Sequence, residues 1–275
     1  MTRAAYAVID LQALRHNLQK ARQAAPSSRV MAVIKADAYG HGMLTVAQAL
    51  EQADAFAVAF VNEAVPLREA GIHCPIVALQ GVRNPQELLS AEHHRIDLVL
   101  HHRDQLKLLQ TTDSKDILRI WLKVDTGMHR LGLSPSELKN VYHTVIRLAA
   151  IKGRPALMTH LACADDRADT YTQQQLERFN AAISGLPGER SIANSAAILG
   201  FPQTHADWIR PGIMLYGASP FIDESASSLD LRPVMTLKAP LIAIKQQIQG
   251  DAIGYGSSFV CPEDMPIGIA AVGYG

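Results

Sequence analysis

The chain has 275 residues, of which 48% are hydrophobic and 19% charged, and its 26 basic side chains balance 26 acidic ones. That apolar fraction sustains a packed core and excludes a disordered chain. The even charge excludes the electropositive footprint by which proteins hold nucleic acid or an anionic membrane surface.

At the N-terminus, MTRAAYAVIDLQAL lacks the uninterrupted apolar stretch of a signal peptide, because Asp10 and Gln12 break it. Asp10 instead reads as the cap of a helix over DLQALRHNLQKARQAA, with Leu11, Leu14 and Leu18 on one face. The next segment, AVIKADAYGHG (32–42), raises a chemical question. Lys35 continues the apolar run Ala32-Val33-Ile34 before any turn residue, and Tyr39, Gly40, His41 and Gly42 crowd into the loop behind it.

After VMAVIKA (30–36) come the short apolar runs AFAVAF (55–60), PIVALQG (75–81), IDLVLHH (96–102), ILRIWLKV (117–124), ALMTHLA (156–162), RSIANS (190–195) and DWIRPGIMLYG (207–217). Amphipathic stretches separate most of them. SPSELKNVYHTVIRLAA, for one, offers Ser134 or Ser136 as a cap and places Leu138, Val141, Val145 and Leu148 at helical spacing. Strands that are apolar throughout, alternating with helices, predict a parallel sheet covered on both faces. Eight of them match the α/β architecture of a (β/α)8 TIM barrel. A doubly wound sheet is the alternative, but no GxGxxG follows the first strand.

The eighth helix is the weakest element. SPFIDESASSLDLRP after Gly217 is a loop, and VMTLKAPLIAIKQQI then alternates as β structure. The expected division is a barrel over residues 1–230 and the start of a C-terminal β domain over 231–275. Cys74, Cys163 and Cys261 are far apart, odd in number and in no CxxC pair, which fits a reducing compartment. No run approaches the roughly 18 apolar residues of a membrane span. A soluble, cytoplasmic protein is expected.

Working residues of such barrels gather at the C-terminal ends of the strands. There stand Lys35, the run Lys123 to Arg130, His160, Asn194-Ser195 and Arg210-Pro211-Gly212-Ile213. Ser195 and the backbone near Gly212 come from the seventh and eighth strands, where barrels commonly hold a phosphate. A lysine across the barrel from a phosphate site is the layout of a Schiff-base enzyme using pyridoxal 5′-phosphate, PLP.

Each residue also has a plain structural reading. A strand-end lysine snorkels to solvent, His160 is a hydrogen-bonded core histidine, Arg130 and Arg210 are ion-pair partners, Asn194-Ser195 caps a helix, and Tyr39 is an ordinary loop residue. Convergence on one rim favours the chemical reading. No metal site is expected, since the His93-His94 and His101-His102 pairs point to opposite faces and no carboxylate stands at ligand spacing.

The blocks AVIKADAYGHG, DTGMHRLG (125–132), ANSAAIL (193–199), DWIRPGIMLYG and GYGSSF (254–259), in that order, closely resemble the alanine racemase family of fold-type III PLP enzymes. The resemblance implies interconversion of L- and D-alanine, for peptidoglycan or for alanine catabolism. It also implies a barrel followed by a β domain, a homodimer, and sites built from both chains.

Carried across residue by residue, the resemblance makes Lys35 the lysine that binds PLP covalently. Tyr39, Ser195 and the backbone of Gly212 and Ile213 become the phosphate binders, with Asn194 beside them. Arg130 sits near the cofactor's phenolic oxygen and the substrate. Lys123 matches a lysine that is carbamylated in many members, a plain salt bridge being its alternative. Arg210 faces the pyridine nitrogen, and His160 links Arg210 to Tyr255 of the partner subunit.

Lys35 and Tyr255 are then the two catalytic bases, one on each face of the substrate's α-carbon. A phenol works as a base only in cationic company, expected here from His160 and Arg210. Arginine does not release its proton, so it keeps the ring nitrogen neutral and the electron sink weak, which restrains transamination. The family continues past PIGIAAVGYG, so an incomplete β domain and weak turnover are expected of the 275-residue chain. The competing readings are a non-catalytic PLP carrier barrel and an inactive truncated relative. GYGSSF, for which carrier barrels have no counterpart, favours the racemase.

Overall fold

In a computed structural model, which describes residues 5–273, strand β1 (Tyr6–Ile9) is followed by Asp10 and helix α1 (Leu11–Ala24). Asp10 caps α1 as expected, its Oδ1 accepting the N–H groups of Gln12 and Ala13 at 2.8 and 3.0 Å. Strands and helices then alternate. They are β2 (Arg29–Val33), α2 (Lys35–Gly40), α3 (Met43–Ala49), β3 (Ala55–Val58), α4 (Val61–Glu69), β4 (Ile76–Ala78), α5 (Pro85–His94), β5 (Asp97–Leu100), α6 (Arg103–Leu109), β6 (Ile120–Lys123), α7 (Pro135–Val145), β7 (Ala156–Met158), α8 (Tyr171–Ile183), β8 (Arg190–Ser191), α9 (Ser195–Gly200) and β9 (Trp208–Ile209). Strands β2 to β9 pair in parallel in sequence order, and β9 closes on β2 with Trp208 opposite Arg29. The eight-stranded barrel read from the sequence is present.

The barrel interior explains why its strands read as apolar throughout. Met31, Val33, Ala55, Ala57, Val77, Val99, Trp121, Ala156, Met158 and Trp208 fill it. Small Ala55, Ala57 and Ala156 leave room for the two indoles, which meet edge to face at 5.8 Å. On the alternate positions of β2, Val30 and Ala32 are fully buried too, as is Ile34 beyond it. Each large aliphatic side chain so buried contributes about 1.5–3 kcal/mol. Both faces are dry.

The region after β9 is a 3-10 turn, Ile213–Tyr216, rather than an eighth helix. Helix α1 packs against that turn. Buried Asn17 on α1 donates to Leu215 O and Arg232 O at 3.0 and 2.8 Å and accepts from Arg232 N, fixing the loop that returns from the barrel. Ser134 is the residue before α7, and Ser136 lies inside it.

The chain divides into two compact units, Asp10–Val234 and a second that joins the strands from Met235 onward with β1. The boundary expected near residue 230 assigns the N-terminal residues to the barrel. In the structure β1 instead pairs antiparallel with β10 (Met235–Lys238), Val8 opposite Thr236. Within the same unit, β11 (Leu241–Gln247) pairs with β14 (Met265–Ala270), and β12 (Ala252–Ile253) with β13 (Phe259–Val260). Tyr274 and Gly275, the end of the apolar run IGIAAVGYG, lie outside the described residues. Among the described residues no helix is long and apolar enough to cross a membrane.

Candidate active site

β2 ends at Val33, so Lys35 does not finish a strand but opens α2. That element is a single turn of the wrong hand. Ala36, Asp37, Ala38 and Tyr39 all have φ between 52° and 55° with positive ψ. Left-handed helix costs L-residues roughly 1–2 kcal/mol each, so neighbours must impose it. Glu63 of α4 does so with both carboxylate oxygens, accepting Ala36 N at 3.0 Å and Ala59 N at 2.6 Å. Asp37 accepts Met43 N at 2.7 Å. The Tyr39 ring stacks on Tyr216 at 4.7 Å, and Tyr216 Oη donates to Val33 O. The reversed turn delivers Lys35 and Tyr39, four residues apart, to the lining of one cavity. That placement answers the question posed by the apolar-flanked lysine.

The cavity, about 570 Å³, opens at the C-terminal end of the barrel. Lys35, Tyr39, Lys123, Arg130, His160, Asn194, Ser195, Arg210, Gly212 and Ile213 all line it. The rim is densely cationic. Burial, with Arg130 nearby, lowers the Lys35 pKa, while Glu63 pulls it back up. Burial, then Arg210 and Arg130, lowers Lys123 to about 8.

Arg210 is buried where it lines the cavity, and burial lowers its pKa to about 10, which leaves it charged at neutral pH. It donates to Ser191 Oγ and Thr159 O, both at 2.6 Å, and to Ile192 O at 3.2 Å. It also lies 3.3 Å from His160 Nδ1. A guanidinium only donates, so Nδ1 accepts and the ring proton of neutral His160 sits on Nε2. Burial and the Arg210 charge hold the His160 pKa well below its usual value. The expected cationic pair is therefore corrected. Arg210 carries the charge and His160 is neutral.

Tyr39, Ser195 and Gly212 form an anion cradle in the same cavity as Lys35. Ser195 Oγ accepts Gly212 N at 2.9 Å and Met214 N at 3.3 Å, leaving its own hydrogen to donate. A Cβ at Gly212 would stand 2.9 Å from Tyr39 Oη, so the glycine is what lets backbone and phenol approach. Two hydroxyl donors beside a close-packed backbone suit a phosphate, and charged Arg210 suits an unprotonated ring nitrogen. On this donor set the residues present fit PLP. Asn194 lines the cavity too, but its amide serves the fold. Oδ1 caps α9 through Ala197 N and Nδ2 donates to Leu161 O.

Tyr255 belongs to the β unit, in the 3-10 turn Tyr255–Ser257, where it is 93% exposed. Sequence reasoning overlooked Glu63 and Tyr216, which hold the left-handed turn. The only trace of either was Tyr216 inside the quoted block DWIRPGIMLYG.

Residues 9–220 match the family described as alanine racemase, N-terminal domain, and residues 234–275 match alanine racemase, C-terminal domain. The chain belongs to the alanine racemase family. It is 55% identical over 273 residues to an alanine racemase of Thioalkalivibrio sulfidiphilus, covering 98% of this chain and 76% of that one. The crystal structure of the biosynthetic alanine racemase from Pseudomonas aeruginosa superposes with a TM-score of 0.91 at 40% identity, over 97% of this chain and 75% of that chain. That of Bartonella henselae alanine racemase, solved with covalently bound pyridoxal phosphate, gives 0.83 at 29% identity, over 98% and 75%. The chain thus spans about three-quarters of the length of these racemases. Alanine racemases as a family depend on PLP.

Proposed function

We propose that this chain is a cytoplasmic racemase that interconverts L- and D-alanine with PLP held by the barrel cavity. The observation that carries this is the left-handed turn, which brings Lys35 and Tyr39 together into a cationic cavity beside the Ser195–Gly212 cradle. When bound, PLP supplies an electron-withdrawing ring joined to the amino acid's nitrogen, which acidifies the α C–H. Lys35 Nζ takes or returns the α-proton on one face, and its lowered pKa makes the free amine more accessible. Tyr39 and Ser195 would hold the phosphate end with hydroxyl hydrogen bonds and the Ile213 backbone N–H would add to them, whereas the Gly212 N–H is already given to Ser195 Oγ and Gly212 serves by its lack of a side chain. Arg210, charged at neutral pH, would hold a positive charge toward the ring nitrogen and so oppose its protonation. Arg130, exposed at the lining of the cavity, would pair with the substrate carboxylate and the phenolic oxygen.

The second base is Tyr255, supplied by a second copy of the chain in a homodimer, and the exposure of its ring leaves it available. Mixing inactive Lys35→Ala with inactive Tyr255→Phe tests this. In a symmetric dimer half the pairs are hybrids and each hybrid has one intact site, so about a quarter of the racemase activity should return. No recovery on mixing would place both bases in one chain and contradict the shared site.

Lys123 fits carbamylation. Its neutral amine adds to CO2 and releases a proton, and the resulting anion offsets Arg130 and Arg210. Only the neutral amine reacts, so the modification should rise with pH through about 8. In 13C-bicarbonate the protein should show a carbamate carbon signal that Lys123→Ala lacks. Identical spectra from the two proteins would leave Lys123 as an ordinary cation.

A further inference from the structure

We propose that Gln175, on α8, is a positioning residue that sets the loop carrying Arg130 against the loop carrying His160. The inference rests on the site reading above, although Gln175 does not line the cavity. Gln175 is fully buried beside Leu176 and Phe179, where the helical pattern calls for an apolar side chain. A buried amide is costly unless its hydrogen bonds are met. Gln175 meets them on both loops. Oε1 accepts Ala162 N at 2.8 Å, and Nε2 donates to His160 O at 3.1 Å and to Thr126 Oγ1 at 3.3 Å.

The chain of donors continues in one direction. Thr159 Oγ1 gives its hydrogen to Val124 O at 2.9 Å, so at 2.8 Å Thr126 Oγ1 must donate to Thr159 Oγ1. The carbonyl of Thr159 is an acceptor of Arg210. A fixed direction of donation allows one relative placement of the loops, and such networks strengthen cooperatively.

Neighbours at helical spacing on the same face extend the contact. Tyr171 Oη donates to Gly127 O at 2.9 Å, and Arg178 donates to Thr126 O at 3.2 Å. Gly127 has φ +140°, and a Cβ there would collide with Tyr171 Oη. Three residues beyond Gly127 is Arg130, and two residues before Ala162 is His160. A displacement of ~1 Å in such groups can cost about 10²-fold in rate. Gln175 therefore acts on the chemistry through the two loops.

The test compares Gln175→Met, close in shape but without the hydrogen bonds, with Gln175→Glu. Without cofactor, amide hydrogen exchange in Gln175→Met should quicken over residues 124–131 and 159–164 and stay unchanged over β2 to β5. In the PLP-loaded enzyme kcat should fall about 10²-fold, while borohydride still fixes the cofactor to Lys35. That retention separates a failure of this inference from a failure of the site assignment. Protonated glutamic acid restores the acceptor and one of the two donor bonds of the amide. The kcat of Gln175→Glu relative to the parent should therefore recover as pH falls, and that of Gln175→Met should not. Unchanged local exchange and kcat in Gln175→Met would overturn the proposal. So would faster exchange spread evenly over the barrel with unchanged kcat per folded molecule. If Gln175→Met does not fold, Tyr171→Phe decides, since it removes one hydroxyl. Faster exchange at Gly127–Arg130 with lower kcat supports the positioning role, and no change in either overturns it.

Discussion

Replacing Lys35 by alanine is expected to abolish alanine racemisation, by at least about 10⁴-fold, as loss of a covalent and proton-transferring residue does elsewhere. The barrel should survive. Lys35 is only half-buried, and Glu63, Asp37 and the Tyr39–Tyr216 stack hold the left-handed turn without it. The melting temperature should move little. Solvent deuterium incorporation at the α-carbon of alanine reads the chemistry, and calorimetry reads the fold. Persistent deuterium exchange from both alanine enantiomers in a folded Lys35→Ala protein would remove Lys35 from the catalytic role.

Arg210→Glu should produce the second large effect. The substitution replaces a buried cation with a carboxyl group that can hold a proton on the ring nitrogen, reversing the electrostatics there. Racemisation should fall about 10²–10³-fold, the range seen when a preorganised charged or dipolar group is removed. Pyruvate formed per racemisation event should rise, because a protonated ring is the stronger electron sink. Thr159 O and Ile192 O lose their donor, so stability should also drop by about 1–3 kcal/mol. Arg210→Lys keeps the charge and should stay close to the parent in its pyruvate ratio. A pyruvate ratio in Arg210→Glu no higher than in the parent would refute the electrostatic role of Arg210.

The barrel was legible because its strands are dry on both faces, and a continuous apolar run is the mark of that environment. Much of the site was legible for a related reason. Once the strands are placed, their C-terminal ends are known, and Lys35, Lys123, His160, Ser195 and Arg210 fall there. The left-handed turn was not legible. Four consecutive non-glycine residues at positive φ run against every local preference, and besides Asp37 within the turn it is Glu63, 24 residues beyond Tyr39, and the distant Tyr216 that impose it.

The pairing of β1 with β10 joins residues more than two hundred positions apart, and the short run YAVI carries no sign of its partner. Gln175 was hidden for the opposite reason. It occupies a core position of an amphipathic helix, where a lone polar residue gives no signal until its hydrogen bonds are seen. The protonation of His160 depends on burial and on Arg210 together, and spacing along the chain reports neither.

The proposed function requires that PLP join the cavity through Lys35 rather than Lys123. Lys123 lines the same cavity and burial lowers its pKa to about 8, so it is the competing amine. Geometry favours Lys35, which shares its turn with Tyr39 and so lies on the same element as the phosphate cradle. Borohydride reduction of the PLP-loaded protein, followed by peptide mapping, distinguishes the two directly. A single phosphopyridoxyl group on the peptide containing Lys35 is the expected result, and recovery of the label on Lys123, or on neither lysine, would contradict this account.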